Sequence, residues 1–326
     1  MEPYADVAES YRNFAAYAVS DSETFAAWAT HVADDDAARE WIASLPAVKQ
    51  QPNLVFAAAR WHGVPAPGPY DRFRDRLLTD DGSLRATILA RATQTNEVGR
   101  LATLLPAFGG IDGPLALLEV GASAGLCLYP DRWGYAWETP RGTVRLGGDP
   151  ALRCRVVGPA PLPTTLPKVT WRGGIDLNPL DVTNTDQMSW LEQLIWPEQT
   201  SRKATLAQAV AIARSEPPEL LRGDLLTELP ALVERAAKFG TVVVFHSAVI
   251  AYLEPADRIR FDDMMRDLVT AGACRWISNE GKNVLPSITA TGPVIPAEDQ
   301  TFVLGVDGQM VAQTHGHGLS LRWTAS

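Results

Sequence analysis

Leu115-Ala116-Leu117-Leu118-Glu119-Val120-Gly121-Ala122-Ser123-Ala124-Gly125 is the stretch on which the reading of this chain turns. Its first six residues form an apolar run of the length of one buried strand, interrupted only by Glu119. The small residues that follow allow a sharp turn and a close approach of backbone to a ligand. A plain strand-to-helix turn would use the same residues, so the context must decide.

Upstream, from Val7 to about Gly110, apolar residues recur at helical spacing, as in Tyr11, Phe14, Ala15 and Ala18, then Phe25, Trp28 and Ala29. Ser22 followed by Glu23 suits a helix start, and Pro46, Pro52 and residues 63–69 suit helix stops. Downstream, short apolar runs at 115–120, 169–177, 241–247 and 273–278 alternate with helical patterns at 186–196, 204–214, 229–239 and 255–271. This alternation predicts an α/β fold with a mostly parallel sheet. Residues 301–306, the turn dipeptide Asp307-Gly308, and residues 309–313 and 318–323 predict an antiparallel strand pair at the sheet edge. The expected architecture is a helical N-terminal cap over residues 1–113 and an α/β core over 114–326. The core carries an insertion around 130–168, whose Pro-rich stretch 158–167 reads as a connector. Such a core resembles the Rossmann-like, seven-stranded sheet of class I methyltransferases, with its antiparallel C-terminal hairpin, more than a wholly parallel dehydrogenase sheet.

The 326 residues carry 29 Lys and Arg against 38 Asp and Glu, a formal charge of −9, with no basic stripe. That balance argues against a nucleic-acid partner and for a small-molecule substrate. Cys127, Cys154 and Cys274 stand in no zinc or disulfide spacing, and His315 and His317 have no acid or cysteine cluster beside them, so no metal is expected. The first residues show no basic leader before an apolar stretch, and no run reaches the ~20 apolar residues of a membrane span, so the expected location is the cytoplasm, without a membrane partner.

The glycine loop matches the methyltransferase pattern of apolar strand, acid and G-x-G/S-x-G. On that resemblance Gly121, Ala122, Ser123 and Gly125 back S-adenosylmethionine, and Glu119 holds its ammonium. An acid after the second strand should accept from the ribose hydroxyls, a place for Asp176 or its neighbour Asp181, and Asp224 after the third strand should lie near the adenine amino group. Each of these acids would otherwise cap the next helix. Arg100 reads as a partner for a carboxylate, and Thr93, Asn96, Glu97 and Arg100 share one face if their segment is helical, making Asn96 and Glu97 wall residues of the substrate site. His246 and Ser247 end the presumed fourth strand, where open α/β sheets bind ligands, and are the candidates for work on a methyl acceptor; a buried histidine bonded to its surroundings is the plain alternative. Trp133, Tyr135 and Trp137 could contact an apolar substrate or simply pack.

The same loop spells G-x-S-x-G, the nucleophile elbow of α/β-hydrolases, with Ser123 as nucleophile. Against that stand the helical first third, where strands should precede the elbow, and Glu119, which has no part in it.

Together the segments Gln51-Pro52-Asn53-Leu54, residues 93–100 (TQTNEVGR), residues 118–126 (LEVGASAGL), Asp131-Arg132, residues 174–181 (GIDLNPLD), Trp196-Pro197-Glu198, Arg202 and Gly223-Asp224 resemble a bacterial family of unknown function, DUF2332. Cys127 and Trp133 stand where that family would have Asn and Tyr. The resemblance implies a methyltransferase-like cofactor fold without fixing a reaction. Transfer of a methyl group to an oxygen or nitrogen of a small molecule is the leading expectation. A Ser123 esterase and a non-catalytic S-adenosylmethionine-binding protein are the alternatives.

Overall fold

The computed structural model describes residues 6–94 and 96–325; Thr95, within the polar motif 93–100, lies outside them. The chain forms two compact units, residues 1–95 with 183–207, and residues 96–182 with 208–326. The boundary read from sequence at 113/114 thus differs from the division by contacts, which places residues 96–113 with the sheet and 183–207 with the helices.

The first unit contains α1 (Val7–Ala18), α2 (Glu23–Asp34), α3 (Asp36–Ala43), α4 (Pro52–Trp61), α5 (Tyr70–Leu78), α6 (Ser83–Ala90) and α8 (Thr185–Leu194). The Ser22 side chain accepts from the Phe25 amide and Asp35 from Ala37 and Ala38, which satisfies donors that a helix start leaves open. Its core is aromatic, with Phe56 set between Trp28 and Phe73 at centroid distances of 5.5 and 5.1 Å. Three of the sequence segments quoted above act here as staples. Trp196 Nε1 donates to Asn53 Oδ1 (2.8 Å), Thr93 Oγ1 to Gln51 Oε1 (3.0 Å), and Glu198 accepts from the Ser22 hydroxyl and the Thr24 amide.

The second unit contains α7 (Leu101–Phe108), β1 (Leu115–Val120), β2 (Gly134–Thr139), β3 (Gly142–Leu146), β4 (Ala151–Val157), β5 (Val169–Asp176), β6 (Glu219–Arg222), α10 (Leu225–Ala236), β7 (Thr241–Ser247), α11 (Pro255–Thr270), β8 (Arg275–Gly281), α12 (Pro286–Thr289), β9 (Phe302–Val306), β10 (Gln309–Thr314) and β11 (Ser320–Trp323). The residues of α9 (Thr200–Ser215) divide between the units. The strands form one mostly parallel, eleven-stranded sheet in the order β3-β2-β4-β11-β10-β9-β8-β7-β1-β5-β6. Within it β6-β5-β1-β7-β8 is wholly parallel and follows the 3-2-1-4-5 order of a doubly wound sheet, with its switch point between β1 and β7.

The sheet differs from the expected seven strands in two ways. The insertion adds strands to the sheet: β2, β3 and β4 join it, because β4 pairs in parallel with β11, and the Pro-rich stretch 158–167 then links β4 to β5 without helix or strand. Their signal was present in 151–157, where Leu152, Cys154 and Val156 are buried and Arg153, Arg155 and Val157 are exposed. The hairpin of β9 and β10 is antiparallel as expected, closed by Asp307 (φ 49°) and Gly308 (φ 80°) in the left-handed pair that tight hairpins need. It is not an edge, however, since β8 flanks it on one side and β11 on the other.

Alternation along β1 decides what each residue faces. Ala116, Leu118 and Val120 pack with Leu229 and Val233 of α10 and Phe261 and Met265 of α11. The odd residues, ending in Glu119, point to the opposite face, where α7 lies and Phe108 meets Phe245 edge-on at 5.4 Å. No helix among the described residues is long and apolar enough to cross a membrane.

Candidate functional site

Gly121 (φ 66°), Ser123 (φ 50°) and Gly125 (φ 68°) adopt left-handed backbone, so the chain folds back immediately after β1. Every amide of this loop already has a partner. Gly121 N and Ala122 N donate to the Ile175 carbonyl at 2.8 and 3.1 Å, and Gly125 N to Ala122 O at 2.6 Å. Ser123 N donates to Asp176 Oδ2 at 2.8 Å, and Ala124 N to Asn96 Oδ1 at 3.3 Å. Leu180 N closes the far side on the Ser123 carbonyl at 2.9 Å.

The loop does not open a helix. It passes into two 3₁₀ turns, Leu126–Leu128 and Pro130–Arg132, so no helix N-terminus points at the carboxyl ends of the strands here. The glycines serve contacts within the protein. A Cβ on Gly121 would lie 2.4 Å from a methyl of Val249, and one on Gly174 2.5 Å from the Ala122 Cβ.

Glu119 stands at the end of β1, only 9 % exposed, and its Oε2 has no hydrogen-bond partner. Burial pushes its carboxyl well above the usual range; the nearby Arg100 guanidinium offsets part of this, and Asp176 adds to it. Burial, with Glu119 beside it, likewise raises the Cys127 thiol, which donates to the Glu97 carbonyl at 3.6 Å. Arg100 is buried and donates from Nε to Gly316 O (2.7 Å) and from Nη1 to Ser247 O (2.8 Å), which makes it a strut between chain segments as well as the countercharge to Glu119.

Among the described residues, the helical face considered for Thr93, Asn96, Glu97 and Arg100 does not form. Asn96 uses its side chain to hold the loop, donating from Nδ2 to Ser123 Oγ at 2.6 Å and accepting from Ala124. Glu97 Oε1 accepts from Gly99 N at 3.2 Å. Such side-chain bonds to nearby backbone compete with a helix, and only the 3₁₀ turn Val98–Arg100 remains. Glu97 also faces His317 at 3.6 Å. Asn96 thus braces the glycine loop, while Glu97 sets the turn that carries Arg100.

Among the predicted acids, Asp176 joins the site, accepting from Ser123 N and, at 2.7 Å, from Asn178 N. Asp224 is exposed and caps α10 through the Leu226 amide at 2.8 Å; Asp181 is also exposed.

His246 is not placed as a base. It is fully buried, with Nδ1 2.7 Å from Glu280 Oε1, and Nε2 accepts from the Trp276 indole at 3.0 Å. An indole only donates, so the imidazole proton sits on Nδ1 and neither ring nitrogen is open to an acceptor. Its face lies edge-on to Phe261 of α11, opposite to the face that carries Glu119. Ser247, one residue on, returns to the α7 face, where its Oγ accepts from Asn279 Nδ2 at 2.9 Å. Tyr135 is buried, stacks on Trp137 at 5.3 Å and donates to Pro130 O at 2.7 Å; it is core of the insertion and not a pocket wall. Trp133 is buried as well, with an unpartnered Nε1.

The sequence reading passed over three residues that shape the site and its surroundings: Asn279, Glu280 and Arg172. Asn279 is fully buried, bridging Ser247 to the Thr314 hydroxyl (2.6 Å), and Glu280 Oε1 accepts from His246, Val249 N and Ile250 N. Their place after an apolar run, at the carboxyl end of a strand, was the available signal. Arg172, a cation inside the buried run of β5, grips Asp131 with two bonds of 2.9 and 2.7 Å. A charge in such a run marks a buried pair.

The arrangement also bears on the hydrolase alternative. Ser123 has the strained φ of an elbow, but its hydroxyl is held by the Asn96 amide, and the buried histidine–carboxylate pair His246–Glu280 is closed by Trp276. Among the described residues no group of three or more His, Cys, Asp or Glu is placed to hold a metal ion.

A doubly wound parallel core, with polar side chains gathered where β1, β5, β7 and β8 end, defines the class: an α/β protein whose candidate site lies at its topological switch point. The chain belongs to the DUF2332 family, described as an uncharacterized protein conserved in bacteria, which it matches over residues 60–323. That span begins beyond the Gln51 to Leu54 motif. A comparison with curated proteins finds no match.

Proposed function

We propose that this protein binds S-adenosylmethionine at the glycine loop and transfers its methyl group to an oxygen or nitrogen of a small molecule. The observation that carries the reading is Glu119, a buried carboxyl with an unpartnered oxygen directly before a loop whose five amides are all satisfied. A loop without open amides or a helix N-terminus behind it is poorly suited to a phosphate or pyrophosphate. A buried acid with one oxygen unpartnered suits a further cation or donor. A nucleoside with an ammonium and a sulfonium group and no phosphate meets both conditions.

In this reading Glu119 holds the ammonium. Asp176, fixed by the Ser123 and Asn178 amides and keeping free lone pairs, takes the ribose hydroxyls, and Asp224 at the end of β6 lies toward the adenine. When bound, the cofactor supplies an electrophilic methyl group. The protein contributes alignment and the exclusion of water, with Asn96 and Asp176 making the loop rigid and Ser247, oriented by Asn279, offering a hydroxyl beside the switch point. His246 has no part as base.

Isothermal titration calorimetry with S-adenosylmethionine and S-adenosylhomocysteine tests the first step; micromolar binding is expected, and no heat at millimolar ligand would end the reading. Binding without turnover on any nucleophilic acceptor would instead favour a non-catalytic cofactor-binding protein. Labelling of Ser123 by a fluorophosphonate probe would revive the hydrolase alternative.

A further inference from the structure

Val249 packs against Gly121, the first glycine of the loop. Its two γ-methyls lie 2.4 and 2.5 Å from where a Cβ on Gly121 would stand, so they are packed against the glycine itself. The turn that carries Val249 is costly to hold. Ala248 sits at φ 59°, a left-handed conformation that costs a residue with a Cβ on the order of 1 kcal/mol. Three groups keep it there. Ala248 N donates to the Asn279 carbonyl (3.1 Å), and Val249 N and Ile250 N both donate to Glu280 Oε1 (3.0 and 3.1 Å). The second Glu280 oxygen is buried without a partner, which adds a desolvation cost to this same arrangement.

The turn is thus strained at one residue, held by two amides on one carboxylate oxygen and seated on the first glycine of the loop. If Ala248 and Val249 swing away while Ile250 stays packed in the core, Ala248 relaxes, the Val249 amide passes to water, and Glu280 keeps His246 and the Ile250 amide as partners. We propose that Val249, presented by the Ala248 turn and held by Glu280, restricts ligand entry to the glycine loop, and that ligand binding requires this turn to move off Gly121. The proposal rests on the reading of that loop as the cofactor site. Val249 is then the residue that governs admission, and Asn279 and Glu280 are positioning residues acting through it.

Stopped-flow and calorimetric titration of the full chain with S-adenosylhomocysteine tests this on Val249→Ala and on Val249→Thr, which keeps the side chain's volume. Val249→Ala is expected to associate faster and bind roughly fivefold or more tightly, because less must be displaced, while Val249→Thr behaves as wild type. Wild-type and Val249→Ala proteins that bind with equal rates and affinities overturn the restriction and leave the cofactor reading standing. No binding by any of the three overturns the cofactor reading and the restriction with it. A measurement without ligand checks the contact. Gly121→Ala should destabilise the wild type more than it destabilises Val249→Ala, and equal losses in both backgrounds would refute the packing on which the proposal is built.

Discussion

Glu119→Gln is expected to raise thermal stability relative to wild type increasingly as pH rises above about 4, until folded Glu119 itself ionises, and to weaken S-adenosylmethionine binding by about 10- to 100-fold. In the unfolded chain a glutamate ionises near its ordinary value of about 4.3. Burial holds the folded Glu119 carboxyl protonated well above that. Between the two values the native state binds a proton that the unfolded state has released, so stability falls as pH rises, until the folded carboxyl itself ionises. Glutamine does not titrate and escapes that loss. The melting-temperature difference between variant and wild type should therefore be small near pH 4 and grow with pH, by roughly 2–4 °C for each 1 kcal/mol. A difference that stays flat with pH would show that the carboxyl is not held neutral. The binding loss follows from removing a hydrogen bond to a charged group, worth about 1.5–3 kcal/mol. Because a cation favours the ionised carboxyl, wild-type affinity should also increase with pH through the range in which folded Glu119 loses its proton, a dependence absent from the glutamine variant.

Arg172→Ala should cost about 3–5 kcal/mol in urea unfolding, enough to leave the sheet unit marginal or unfolded. The guanidinium makes two bonds to Asp131, donates to the Leu128 carbonyl at 2.6 Å and lies 4.7 Å from the Tyr129 ring centroid. Removing it strands a largely buried carboxylate and a buried carbonyl together. The double variant Arg172→Met/Asp131→Leu removes both charges and is expected to recover most of the loss, since it is the unpaired charge that destabilises. An Arg172→Ala protein within 1 kcal/mol of wild type would show that the pair contributes little. The pair ties the turns that follow the glycine loop back to β5, so its loss should also loosen the loop.

Local pattern carried much of this protein. Ser22 with Glu23 marked the start of α2, and Asp307-Gly308 marked the β9–β10 turn, because caps and left-handed turns depend on residues adjacent in the chain. The parallel core was legible in its apolar runs for the same reason. What failed depended on partners far away in sequence. The strands of the 130–168 insertion find their place only once β11 is available to pair with β4, and a helical face for Thr93, Asn96, Glu97 and Arg100 gives way once Asn96 bonds to Ser123 and Ala124.

The sequence by itself determined the α/β class, the strand that delivers Glu119 and the small-residue loop after it, since strand length, burial and turn geometry follow from neighbouring residues. Only the tertiary structure decided the use of that loop. It showed the amides already satisfied, Gly121 covered by Val249, His246 locked between Glu280 and Trp276, and one oxygen of Glu119 buried without a partner. Hydrogen-bond satisfaction belongs to the groups that folding brings together, and one strand and its turn cannot specify it.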